Sequence, residues 1–253
     1  MRAIILAAGR GSRLRATTDM PKCLLAPGGV SLLDRYIAGL DALGISATVV
    51  AGYRAEAVKR RIDELAPKNT ATVVVNPDFH LGSIVSLSHG LAGLDEPILL
   101  MDGDVLFHPD LLRRLVSAPH ANALLVDVGT EFTGEEYMAG IDAGRVRALR
   151  RAPTPGHEAT GEWVGFARLD SSAVAALRRA ITRQIAAGEI SGGYEDSLAS
   201  ILGQVDVQCI DVGGLPWIEI DFPEDAARAS QLILPLTDPP PHSSLILPLT
   251  QTP

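Results

Sequence analysis

From its N-terminus to Met101 the chain repeats one pattern: a short, continuous and largely apolar run, then a segment of helical periodicity. The apolar runs are Ala3 to Ala8, Ala47 to Ala51, Ala71 to Val75 and Pro97 to Met101. A strand that is apolar on both faces must be covered on both faces, which points to a parallel sheet between helical layers. The intervening segments fit that reading. Ser31 to Leu43 puts Leu32, Leu33, Tyr36, Ile37 and Leu40 on one face and is closed by Gly44. Ala55 to Leu65 is a second helix, ended by Pro67, and Ile84 to Leu91 is a short third. Ligands of such sheets bind beyond the carboxyl ends of the strands. The loops after Ala8, Ala51, Val75 and Met101 therefore share one rim.

The second half is less regular. Ala123 to Val128, Tyr137 to Asp142, Val146 to Arg150 and Trp163 to Leu169 read as strands, with turns at Gly134 and Gly144. Ser171 to Ala187 and Tyr194 to Leu202 read as helices, Val205 to Val212 and Trp217 to Ile220 as strands, and Pro223 opens a last helix. The expected class is α/β, with a mostly parallel central sheet, helices on both faces and a smaller mixed strand–helix portion. Residues 1–230 make one domain. The hexapeptide Leu232 to Thr237 recurs at Leu245 to Thr250 within a Pro-rich stretch, too few copies for a solenoid. Residues 231–253 are expected to form a flexible tail without chemistry.

A chain of 253 residues, 47% hydrophobic and 21% charged, can bury one sizeable core. Its net charge of −8 argues against a duplex-binding surface, so no nucleic-acid partner is expected. A local basic cluster remains: Arg10, Arg13, Arg15 and Lys22. Cys23 and Cys209 have no metal-ligand spacing and read as reduced residues in or near the core. The N-terminal apolar run stops at Gly9, too soon for a signal peptide or membrane span. A cytoplasmic location without a membrane partner is the expectation.

The basic cluster surrounds Leu6-Ala7-Ala8-Gly9-Arg10-Gly11-Ser12-Arg13-Leu14, followed by Pro21-Lys22-Cys23-Leu24. The glycines let backbone amides approach an anion, and Arg13 offers a planar fork to phosphate oxygens. Leu14 replaces the third glycine of a dinucleotide fingerprint, and no Gly-Lys-Ser/Thr of a Walker loop occurs. Taken alone, the glycines are compatible with a plain turn. The whole stretch, however, resembles the signature of the nucleotidyltransferases that include the sugar-1-phosphate pyrophosphorylases. The resemblance covers roughly residues 1 to 230 and implies a Rossmann-like nucleotidyltransferase fold. It implies that residues 1–120 bind the nucleotide and 121–230 the acceptor. Leu6, Ala7, Ala8, Gly9, Gly11, Ser12 and Arg13 would then hold the nucleotide, and Lys22 would bridge its α-phosphate and the acceptor. Lys22 and Arg13 are the expected catalytic residues.

Acidic residues follow the fourth apolar run, as Asp102-Gly103-Asp104, and recur in Glu219-Ile220-Asp221 before Phe222-Pro223-Glu224-Asp225. Carboxylates at a strand's carboxyl end suit a metal or a helix cap. Asp221 read alone could also be an N-cap of the last helix, and the two roles are compatible. The family resemblance implies that Asp104 and Asp221 bind Mg²⁺, with Asp102 near the nucleotide and Glu219 near the acceptor.

Gly161 to Ala167, Gly193 to Leu198 and Trp217 to Asp225 resemble a subgroup, the phosphocholine, inositol-phosphate and phosphonate cytidylyltransferases. That resemblance implies a CTP donor, a small phosphate or phosphonate acceptor and release of pyrophosphate. Glu162, Trp163, Tyr194, Glu195, Asp196 and Glu219 would face the acceptor. Carboxylates and aromatic faces suit a cationic head group, although Trp163 and Trp217 read equally well as core aromatics. The base-reading segment departs from the subgroup, which often has paired Asn residues before a Ser. Here Asn76, Gly82, Ser83 and Ser86 are the candidates, and a helix capped by Ser83 is the plain alternative. Two rival readings stand beside this one: a sugar-1-phosphate nucleotidyltransferase, and a nucleotide-binding domain without catalysis. A symmetric homodimer is compatible with the sequence.

Overall fold

The computed structural model describes residues 1–14, 19–65, 71–190 and 192–237, without the side chains of Ser12, Leu232, Leu236 and Thr237. Arg15, Pro67, the second hexapeptide and residues 238–253 lie outside the described residues, as does the side chain of Ser12. The N-terminal half runs β1 (Arg2–Ala7), α1 (Leu32–Ala42), β2 (Ser46–Ala51), α2 (Ala55–Leu65), β3 (Thr72–Val75), α3 (Ser83–Gly90), β4 (Ile98–Asp102), β5 (Val105–Phe107) and α4 (Pro109–Ser117). β1 lies between β2 and β4 and pairs with both in parallel, and β3 extends the parallel set beyond β2. The apolar runs of β1, β2 and β4 are continuous because each feeds two cores, whereas β3, at the edge of the sheet, is not covered on both faces as expected and only its Val73 packs on a core. In β1, Ala3, Ile5 and Ala7 join the core under α1, α2 and α4, while Ile4 joins the core under α3.

The C-terminal half runs β6 (Ala123–Val128), β7 (Met138–Asp142), β8 (Arg145–Arg150), β9 (Ala159–Leu169), α5 (Ser171–Ala186), α6 (Tyr194–Ala199), β10 (Gln208–Asp211), β11 (Trp217–Glu219) and α7 (Pro223–Arg228). The nine-stranded sheet has the order β3-β2-β1-β4-β9-β6-β10-β8-β7. β9 is antiparallel to β4, β6 and β7, so the sheet is mixed beyond β4. The strand begins at Ala159, before the expected Trp163, because its first residues pair with β7 rather than with the central sheet. β5 and β11 form a separate two-stranded ribbon. The expected strand from Val205 to Val212 contracts to β10.

Capping follows local chemistry. Ser31 accepts from Asp34 N at 3.1 Å at the start of α1, and Asp170 accepts from Ala173 N at 2.8 Å at the start of α5. Past α7 the helix continues as a π turn, Ala229–Ile233, and a last helical turn, Leu234–Thr237. Ile233 and Leu234, which fall in the expected tail, pack on the core as partly buried residues. Among the described residues no helix is long and apolar enough to cross a membrane.

Two contacts fix the turn after β4. Gly103 N donates to Leu6 O at 3.0 Å, and a Cβ at Gly103 would lie only 2.7 Å from that oxygen. The buried Tyr36 hydroxyl donates to Val105 O at 2.6 Å and accepts from Val105 N at 2.9 Å. Tyr36 thus holds the residue next to Asp104. Tyr36→Phe strands both Val105 backbone groups and is expected to cost about 1–3 kcal/mol. A urea melt should show a lower midpoint with an unchanged slope. An unaltered midpoint would show that the hydroxyl contributes nothing.

Candidate active site

The carboxyl ends of β1 and β4 and the segment after β11 converge on one cleft. Its centre is Lys22, whose ammonium donates to Asp104 Oδ2 at 2.9 Å and to Asp221 Oδ1. Burial disfavours the Lys22 charge, but Asp104 and Asp221 outweigh it and raise the pKa above the ordinary lysine value. Gly11 adopts a positive φ of 57°, and the Lys22 stem lies against it, 3.1 Å from where a Cβ would stand. Arg13 donates to Asp221 Oδ2 at 2.8 Å and to Glu135 Oε2 at 3.0 Å, and its guanidinium lies 5.0 Å from the centre of the Phe222 ring.

Asp221 is not the helix cap. Asp225 takes that role, accepting from Phe222 N at 2.8 Å and Asp221 N at 3.2 Å. This leaves the Asp221 carboxylate to the cations. Carboxylate oxygens of Asp104, Glu219 and Asp221 lie within 4.8 Å of one another, an acidic cluster able to hold a metal ion. Solvent reaches Glu219, yet protein walls it on most sides. That enclosure, with Asp104 and Asp221 nearby, raises its carboxyl to about 8.

Three hollows share these walls. One of about 270 Å³ is lined by Gly9, Gly11, Arg13, Lys22, Asp104 and Asp221. A second, about 320 Å³, includes Leu6, Ala8, Gly82, Ser83, Ser86 and Asp102. The largest, about 660 Å³, includes Asp127, Tyr137, Glu162, Trp163, Glu195 and Trp217. Asp102, Glu195 and Glu219 line both the second and the largest.

Several expected residues occupy different positions. Asn76 is fully buried: its amide donates to Ser86 Oγ at 3.0 Å and its oxygen accepts from Asp78 N at 2.9 Å. It braces the loop before α3 and lines none of the three hollows; nor do Ala7 and Asp196. Ser83 Oγ does not cap α3. It accepts from Tyr194 N at 3.0 Å. Tyr194 is buried edge-on to Trp163, ring centres 5.7 Å apart, and its hydroxyl donates to Asp102 Oδ1 at 2.8 Å. Burial, with Asp104 and Glu195 nearby, holds the Asp102 carboxyl well above the usual range. The Trp163 indole donates to Phe166 O at 3.2 Å, and one face of the residue lines the largest hollow.

Residues 3–186 match the model of the MobA-like NTP transferase domain. The chain belongs to this family. The MobA-like chain is 30% identical over 247 residues to CMP-5'-(3-aminopropyl)phosphonate synthase of Streptomyces rubellomurinus, across 90% of this chain and 38% of that protein. It is 27% identical over 238 residues to the bifunctional IPC transferase and DIPP synthase of Rubrobacter xylanophilus, across 92% of this chain and 52% of that one. It therefore spans about half or less of these relatives' lengths. Among solved structures, CTP:phosphocholine cytidylyltransferase from Streptococcus pneumoniae superposes with a TM-score of 0.73 at 20% identity, covering 90% of this chain and 97% of that one. The inositol-1-phosphate CTP transferase from T. maritima gives 0.71 at 21% identity, over 88% and 90%. These likenesses establish the Rossmann-like nucleotidyltransferase fold for the MobA-like chain.

The cleft also contains residues that the sequence did not single out. Phe79 lines the second hollow. Asp127, accepting from Trp217 Nε1 at 2.9 Å, and the pair Glu135 and Arg151 wall the largest. Aromatic residues make up only 4% of the chain, so Phe79, beside Gly82, carried a readable signal. Glu135 and Arg151 carried none, because their partners lie far away in sequence. Cys23 is no nucleophile: burial pushes its thiol up to about 12.

Proposed function

We propose that this chain is a cytidylyltransferase, moving CMP from CTP to a small phosphate or phosphonate and releasing pyrophosphate. The observation that carries the reading is the meeting of Lys22, Asp104 and Asp221, from three distant segments, between the glycine loop and an acidic, aromatic-walled cavity. Residues 1–120 form the nucleotide-binding half and 121–230 the acceptor half. The relatives named for CMP-aminopropylphosphonate and for phosphocholine transfer support CTP as donor.

Mg²⁺ fits the donor set: oxygen ligands only, close enough to share one ion. Asp104 and Asp221 would hold it, with Glu219 beside them. When bound, it supplies positive charge to the phosphate oxygens. The chain's own residues do the rest. An acceptor phosphate or phosphonate oxygen is already anionic and needs no general base. It attacks the α-phosphorus, a P–O bond forms, the bond to the β-phosphate oxygen breaks, and pyrophosphate leaves with that electron pair. Gly9, Gly11 and Arg13 hold the leaving group while Lys22 faces the α-phosphate and the acceptor oxygen. Catalysis of this kind is alignment plus charge neutralisation.

The acceptor cavity favours a positively charged head group over a sugar. Glu195 Oε2 is buried without a hydrogen-bond partner, and burial raises that carboxyl to about 7. Burial, with Glu136 and Asp127 adding, raises Glu162 to about 7 as well. The aromatic faces of Trp163, Tyr137 and Trp217 stand alongside. An amine is held best once Glu162 is ionised, so acceptor KM is expected to fall several-fold as pH rises from about 6 to 8. Glu162→Gln should weaken that dependence, with Glu195 supplying the remainder; a wild-type KM that ignores pH would contradict the cation site.

The whole reading is tested by pyrophosphate release with each nucleoside triphosphate against aminoalkylphosphonates, phosphocholine, inositol phosphate and sugar 1-phosphates. CTP with a cationic acceptor should be fastest. A preference for sugar 1-phosphates would replace the reading with the sugar-nucleotide one, and no release with any pair would leave a nucleotide-binding domain.

A further inference from the structure

Glu135, in the connection between β6 and β7, is the meeting point of three segments far apart in the chain. Its Oε2 accepts from Arg13 of the glycine loop at 3.0 Å and from Arg151, the residue after β8. Arg13 at the same time donates to Asp221 at 2.8 Å. The turn bearing Glu135 is stiff. The Glu136 carboxylate accepts from the backbone N–H of Thr133 at 2.8 Å, Gly134 at 3.0 Å and Glu135 at 3.1 Å. Tyr137 O, at the turn's end, accepts from Trp163 N at 2.9 Å. Thr130, Thr133, Glu136 and Tyr137 form one wall of the acceptor cavity. Arg13 therefore ties the nucleotide loop to that wall.

We propose that Glu135 is a positioning residue that holds Arg13 where a phosphate would, and that triphosphate binding draws Arg13 away and frees the wall of the acceptor cavity. The inference rests on the reading of Arg13 as a triphosphate ligand. Both partners are about half exposed, with side-chain accessibilities of 41% and 55%, and an exposed pair of this kind is weak. A polyphosphate offers more charge and several oxygens to the same guanidinium fork. Glu135 keeps Arg151, so no carboxylate is left bare by the exchange. An acceptor site that is open only in part of the population binds with lowered apparent affinity, and the nucleotide removes that deficit. Linkage makes the effect mutual.

The test uses magnesium tripolyphosphate as probe, with hydrogen exchange of residues 129–137 and calorimetry on the same samples. In the wild type the probe should bind and raise exchange in that turn by about threefold or more. In Glu135→Gln exchange should be high from the start and should not respond. With CTP and 2-aminoethylphosphonate, acceptor KM of the variant should lose its dependence on CTP concentration. If the probe binds and the wild-type turn does not respond, or if Glu135→Gln responds as the wild type does, the latch is wrong and the nucleotide reading stands. If the probe does not bind, the role of Arg13 fails and the latch fails with it.

Discussion

Lys22→Ala is expected to lower turnover by at least about a hundredfold, the usual cost of removing one preorganised charge donor from a transition state. Lys22 is the cation held between Asp104 and Asp221, its stem packed against Gly11. Attack of an anionic acceptor on an anionic α-phosphate is opposed by charge, and on the proposed reading Lys22 would neutralise it where the two meet. Binding of CTP should change less than the rate, because Arg13 and the loop amides remain. Single-turnover measurement separates the two effects. A near-normal rate would remove Lys22 from the chemistry. Lys22→Arg is not a fair rescue, since a planar fork replaces a compact ammonium.

Asp221→Ala should have the largest effect, about a thousandfold or more, because a lost Lewis acid costs several kcal/mol of transition-state stabilisation. Asp221 is also the shared partner of Lys22 and Arg13, so its loss takes one carboxylate from each and leaves Lys22 with Asp104 and Arg13 with Glu135. The measurement is the rate as a function of Mg²⁺ concentration. The variant should not saturate where the wild type does, and Asp104→Ala should behave alike. Either variant with the wild-type half-saturation point would refute the metal assignment. The same carboxylates pair with Lys22 and Arg13, and on the proposed reading they would hold Mg²⁺ and leave both cations to the phosphates.

The parallel half was legible because β1, β2 and β4 are buried on both faces and spelled largely in apolar residues, although β3, at the sheet edge, is apolar in sequence and only partly covered. β9 was harder. Its Trp163 to Leu169 stretch is as apolar as β4, and nothing local distinguishes a strand that runs the other way. β5 is three residues long, below the length at which period carries information. α4 was readable, with Pro109 in its first turn and Leu111, Leu112 and Leu115 on one side, and it was missed. Within the cleft, Lys22, Asp104 and Asp221 came from a motif, and motifs record local spacing. Asn76 was misplaced because an amide near a serine reads the same whether the two face a base or each other. Glu135 could not be found this way: its bond to Arg13 joins positions 122 residues apart.

β9 has one more implication. The strand pairs Phe166 with Met101 at the nucleotide end and Glu162 with Met138 and Asp127 at the acceptor end. Four residues of extended chain separate the two by about 13 Å. On the proposed reading, one strand would underlie both substrates, and substitutions at its Glu162 end would change the head group accepted while leaving the loop around Gly9 and Arg13 untouched.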